Sequence, residues 1–123
     1  MSTAFNEGEF RHGLAHFTGT ELWHRTIIPT ITYTDGAKYV ADKCGAYWLL
    51  DDIALHQAEP AVKKEEFQVW ILRVDLAKSK AVLSCEDGND NEVFKVNIPF
   101  TDFPLCEFKL WYTNRVIMLP SEY

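Results

Sequence analysis

Apolar residues recur along this chain with two different periods, and the change falls between the first and second halves. In Gly8–Phe17 (GEFRHGLAHF), Phe10, Leu14 and Phe17 stand at the spacing of one helix face, which predicts a short amphipathic helix. Thr18–Tyr33 is rich in threonine and isoleucine, which favour extended backbone. Pro29 interrupts that run, so two short strands or an edge strand are expected. Thr34-Asp35-Gly36 then supplies a helix start, because a Thr or Asp side chain there accepts from the free N–H groups of the first turn. The helix should stop at Cys44-Gly45, where glycine takes the left-handed cap without strain. A further helix is predicted from about Ala46 to Gln57, with Ala46, Leu49, Leu50, Ile53 and Gln57 on its buried face. Pro60 ends it, and Ala58–Glu66 (AEPAVKKEE) reads as a linker too short to separate domains.

From Phe67 onward the period is that of a strand. Phe67–Asp75 (FQVWILRVD) is apolar on both alternations, the pattern of an interior strand covered on both faces. Lys80–Glu86 and Glu92–Pro99 flank the turn-rich DGNDN and predict a hairpin. Leu105–Thr113 and Arg115–Leu119 predict a second pair joined near Asn114. In Leu105–Thr113, Phe108, Leu110 and Tyr112 share one face, while Glu107, Lys109 and Trp111 share the other. The expected fold is α+β: N-terminal helices packed on one face of a four- or five-stranded antiparallel meander. The 123 residues fit one domain, residues 1–123, which buries about two thirds of its unfolded surface without a metal or disulfide staple.

Composition narrows the function classes. A hydrophobic fraction of 47% argues against disorder. No apolar run approaches the ~20 residues of a membrane span, and MSTAFNEGEF lacks the regions of a signal peptide, so a cytoplasmic protein is expected. Cys44, Cys85 and Cys106 are odd in number and lack a CxxC pair, which predicts packed, reduced thiols. Cys44 stands at a helix C-terminus, where the dipole disfavours a thiolate. The net charge of −6 disfavours phosphate-backbone binding and suits solubility or a basic partner.

Several candidate chemistries fall short. His12 and His16 have a chelating spacing, and Glu21 and His24 lie close enough in sequence to complete a set. But a metal site needs three or four converging ligands and a second shell, and the histidines sit beside Arg11 on a side that could face water. His16-Phe17-Thr18 and His24-Arg25-Thr26 are His-x-Thr triplets like those of two-histidine phosphoesterases, yet they lie too close together in sequence to flank one phosphate. Neither a nucleophile elbow nor a glycine-rich phosphate loop is present. No catalytic residue, metal or cofactor is therefore expected.

Two sets remain. Thr18, Thr20, Glu21, His24, Arg25, Tyr33 and Asp35 form the densest polar set, in which Arg25 and the hydroxyls could hold a phosphate or nucleotide. Tyr47/Asp51 and Trp48/Asp52 are aromatic–acid pairs one helical turn apart, and with Trp111 they form a candidate protein-contact set.

The stretches FTGTELWHR (Phe17–Arg25), YTDGAKYVADKCGAYWLLDDIA (Tyr33–Ala54), EFQVWILRV (Glu66–Val74), DGN (Asp87–Asn89), TDFPL (Thr101–Leu105) and LPSEY (Leu119–Tyr123) run over nearly the whole chain. Together they resemble an uncharacterised family of short bacterial proteins, a domain of unknown function found on plasmids, phages and other mobile elements. In that family a small residue is more usual at Cys44, which speaks against a catalytic thiol. The mobile-element setting implies an accessory or counter-defence role. The resulting expectation is a non-catalytic acidic binding protein, an anti-CRISPR-like inhibitor that contacts a basic protein. The alternative is a small-ligand pocket or hydrolase built on Thr18–Asp35, and a third option is a homo-oligomer joined through its flat sheet face.

Overall fold

The structure, a computed structural model, describes residues 5–123. Helix α1 (Glu7–Leu14) begins where the Asn6 side chain accepts the Glu9 N–H. Two three-residue strands follow on either side of Pro29, β1 (Trp23–Arg25) and β2 (Thr32–Thr34). Helix α2 (Asp35–Cys44) is capped by the Thr34 hydroxyl at its start and by Gly45, at φ 60°, at its end. Helix α3 (Tyr47–Leu55) gives way to a 3-10 turn at His56–Ala58. Glu59, which precedes a proline, is extended and stops the helix there. The expected linker instead carries a one-turn helix α4 (Pro60–Lys63), with proline at the first position where its missing N–H costs nothing.

The strands β3 (Phe67–Asp75), β4 (Lys80–Glu86), β5 (Glu92–Ile98), β6 (Glu107–Thr113) and β7 (Val116–Met118) complete one sheet. Its order is β1-β2-β7-β6-β3-β4-β5, and only the β2–β7 pair is parallel. The fold is α+β, but the sheet is larger than the expected four or five strands, and mixed. The reason is β7: after its hairpin with β6 it places its far edge beside β2, which draws the β1–β2 hairpin into the same sheet.

The helices pack on one face, where Phe10, Val40, Leu49, Leu50 and Ile53 meet Trp70, Leu72, Leu83, Leu110 and Ile117 in one core. A buried amide pair fastens the α3–α4 segment to that core. Gln57 and Gln68 exchange hydrogen bonds of 2.7 and 2.9 Å, and the Trp70 indole N–H donates to Gln68 Oε1. Gln68 also donates to the Val62 and Glu65 carbonyls, so its polar atoms are satisfied inside the core.

The expectation that β3 is covered on both faces needs correcting. β3 is interior, between β6 and β4, but the helices cover only the side of Gln68, Trp70, Leu72 and Val74. On the other side Ile71 is 2% exposed and Met118 is 9% exposed, yet both lie outside the core cluster. Their shielding comes from neighbouring strand side chains, since Ile71 sits opposite Ser84 and Lys109 in the ladder.

Candidate functional site

The polar centre of the molecule forms where β1 passes the start of α2. Asp35, the first residue of α2, accepts the N–H groups of Glu21 at 3.1 Å and Leu22 at 3.4 Å. His24 Nε2 lies 2.9 Å from the other Asp35 oxygen, and the Asp35 backbone N–H donates to Thr20 Oγ1. Thr20 in turn donates to the Leu22 carbonyl, so the loop before β1 is wrapped around one carboxylate. The His24 hydrogen bond first, then the Glu21 and Leu22 N–H groups, hold the Asp35 carboxyl down from 3.8 to about 2.

A second set of acids continues from this point. The His24 ring lies against Tyr33, and Tyr33 meets Tyr47 edge-on. Burial raises the Tyr33 hydroxyl above its usual range, with Lys38 opposing. The Tyr47 hydroxyl donates to Asp42, which also takes Lys38 Nζ at 2.9 Å. Those two partners, Tyr47 first, hold Asp42 below the usual carboxylate range. Asp51 accepts the Ile27 N–H at 3.0 Å. Asp35, Asp42 and Asp51 thus form a belt beside three exposed apolar side chains: Leu22, Ile27 and Tyr47.

The expected polar set is only partly assembled. Thr20, Glu21 (through its backbone), His24, Tyr33 and Asp35 come together. Thr18 is exposed and outside these hydrogen bonds, and Arg25 alternates with His24 on β1, so it faces the opposite side of the sheet. The N-terminal donors of α2 are already used. Gly36 N–H donates to Glu122 Oε2 at 3.0 Å, Ala37 N–H to Thr34 Oγ1, and the Thr34 hydroxyl to Glu122 Oε1. A carboxylate from the last turn of the chain therefore occupies the place where a phosphate would bind. A Cβ on Gly36 would stand 2.5 Å from Glu122 Oε1, so glycine is what lets the two ends approach. Nothing in the sequence pattern marks Glu122 as a partner of α2, because the two lie 86 residues apart.

The contact set also divides. Tyr47 pairs with Asp42 rather than with Asp51, while Trp48 and Asp52 are half-buried, with burial raising the Asp52 carboxyl. Trp111 lies on the opposite side of the molecule, where it packs with Phe67 at 5.1 Å and Tyr123 at 5.6 Å. No single surface holds all five residues.

His12 and His16 are exposed and stacked edge-on, and among the described residues no group of His, Cys, Asp or Glu is arranged to hold a metal. Burial pushes the Cys44 and Cys85 thiols up to about 12. Cys106 departs from the expectation of packed thiols: it is exposed, because β6 begins only at Glu107. In the turn before Pro104, Thr101 Oγ1 accepts the Phe103 N–H. A cleft of about 720 Å³ lies between Lys63–Glu66 and the β6–β7 turn, and none of the candidate residues lines it.

Charge on the uncovered sheet face is balanced. On the uncovered sheet face Arg25, Arg73, Lys80, Lys95 and Lys109 intermingle with Asp75, Glu86, Glu92 and Glu107. The acidic surplus behind the net −6 therefore belongs to the helices and loops.

These features define an α+β protein in which Glu122 caps the start of α2 and Asp35 orders the loop before β1. The chain belongs to a family of unknown function (DUF6876), which matches residues 8–123. No curated protein matches it. No solved structure matches it either. Among the described residues no helix is long and apolar enough to cross a membrane.

Proposed function

We propose that this is a non-catalytic binding protein whose acidic belt, Asp35, Asp42 and Asp51 with Leu22, Ile27 and Tyr47, docks on a basic protein surface. The observation that carries this reading is local: three carboxylates, each held by hydrogen bonds, stand next to large apolar side chains left in water. Exposed aromatic and aliphatic groups set among like charges are the anatomy of an interface core with a charged rim. The hydrogen bonds from Lys38, Tyr47 and Ile27 hold the carboxylates in place before a partner arrives, which lowers the ordering cost of binding. In the mobile-element setting that the sequence resemblance implies, the partner would be a nucleic-acid-handling protein, and the belt would occupy its basic channel as a counter-defence inhibitor.

The ligand-pocket alternative is weaker on geometry. Its anion-binding donors are taken by Glu122, and Arg25 faces away from the other residues. Calorimetry with an arginine-rich peptide tests the binding reading. Affinity should fall several-fold between about 50 and 300 mM salt, and fall again in Asp42→Asn and Tyr47→Ala. Salt-independent binding, or binding indifferent to both substitutions, would count against it. A thermal shift with nucleotides that is lost in His24→Ala would favour the pocket instead.

A further inference from the structure

Of the β3 residues that point away from the helices, Phe67, Val69 and Ile71 are apolar, as in a covered strand, while Arg73 and Asp75 are exposed, and no helix of the described chain packs on them. Phe67 and Val69 are half-buried there, Ile71 is hidden by its neighbours, and Trp111, Phe67 and Tyr123 form a mutual aromatic cluster. Trp23 and Tyr123 remain 58% and 75% exposed on the same side. A sheet face bathed in water more usually alternates cleanly to polar side chains.

We propose that a second copy of this chain docks on this face, sheet against sheet, closing a sandwich with a layer spacing of about 10 Å. Three observations select a second copy over another partner. The first is charge. Each chain carries −6, so two copies repel unless they meet through their least acidic surface. The uncovered face is that surface, with both signs intermingled, and pairing through it turns the two helical sides, with Asp35, Asp42 and Asp51, outward.

The second is shape. A two-fold interface must carry its own knob and its own recess. Here the aromatic cluster stands beside a groove of about 300 Å³ between Trp23 and Tyr123, floored by Val116 and Met118. The third is size. Seven strands about 4.8 Å apart, with central strands rising about 3.3 Å per residue, give a face on the order of 700 Å². That is close to the roughly 800 Å² per partner of a stable interface. The proposal is independent of the acidic-belt reading and adds to it: the dimer would present two binding belts on opposite sides and engage a repeated partner bivalently.

Sedimentation of the full chain over about 1–100 µM should show the mass doubling, with Trp111→Glu and Val69→Lys remaining monomeric and keeping the wild-type far-UV spectrum. A wild type that stays monomeric throughout overturns the proposal, and so does a dimer that survives in both folded variants. Should either variant fail to fold, lysine cross-linking of mixed light and heavy wild-type copies decides. Inter-copy links confined to Lys80, Lys95 and Lys109 support the sheet-face dimer. Links through Lys38 and Lys43, or none, sink it. Peptide binding at the belt is read separately, so loss of the dimer leaves that reading standing.

Discussion

Asp35 shows how much one side chain decides. It starts α2, gathers the loop before β1 and orients His24, all through hydrogen bonds to its ionised form. Its carboxyl titrates at about 2 in the fold instead of 3.8, so the stability it contributes is fully present above 3.8 and is lost as the pH falls through about 2. Thermal melts should therefore show Asp35→Asn destabilised at neutral pH, with a flatter dependence than wild type between pH 3.8 and about 2. Parallel acid profiles for the two proteins would remove Asp35 from this role. The thiols give a second check at this scale. Cys44 and Cys85 are buried with depressed acidity, and Cys106 is exposed, so Ellman's reagent should find one reactive thiol in the folded protein and three after unfolding. Cys106 was misread from the sequence for a simple reason. The apolar Leu105 makes the strand look two residues longer than it is, and Cys106 falls in the bend just before it.

At the scale of elements, what was legible follows the range of the forces involved. Caps are local, and Thr34 and Gly45 announced both ends of α2. Strand alternation and turn chemistry are local too, so β3 and β4 appeared with their observed bounds. The parallel pairing of β2 with β7 is not local. Two strands of three residues, TYT and VIM, carry no signature of each other, and the pairing is fixed only when the C-terminus folds back. What holds it back is the Glu122 carboxylate on Gly36 and Thr34, with Ser121 donating to the Phe17 carbonyl. Chemical denaturation should find Glu122→Ala less stable by about 1–3 kcal/mol, the cost of leaving charge-assisted donors unmet. Gly36→Ala should cost a similar amount, about 1–3 kcal/mol, because its methyl meets the Glu122 and Leu119 side chains. The double variant should lose less than the sum, since removing the Glu122 side chain makes room for the methyl. Additive losses would mean that the two residues do not share one contact.

At the scale of the molecule, the same sheet separates two surfaces of different character. The helical side carries the acidic belt and three exposed apolar side chains, while the other carries aromatics among balanced charge. The sequence pattern already showed both ingredients, in the −6 charge and the doubly apolar β3, but it joined Tyr47 and Trp111 into one contact set. Only the layer order places them back to back. Their separation makes the functional reading testable residue by residue. In a titration of isotope-labelled protein with an arginine-rich peptide at low salt, followed by amide NMR, shifts should concentrate at Leu22, Ile27, Asp42, Tyr47 and Asp51 and shrink as salt is raised. Shifts that concentrate instead at Val69, Lys109 and Trp111, or that are absent altogether, would contradict an acidic helical binding face.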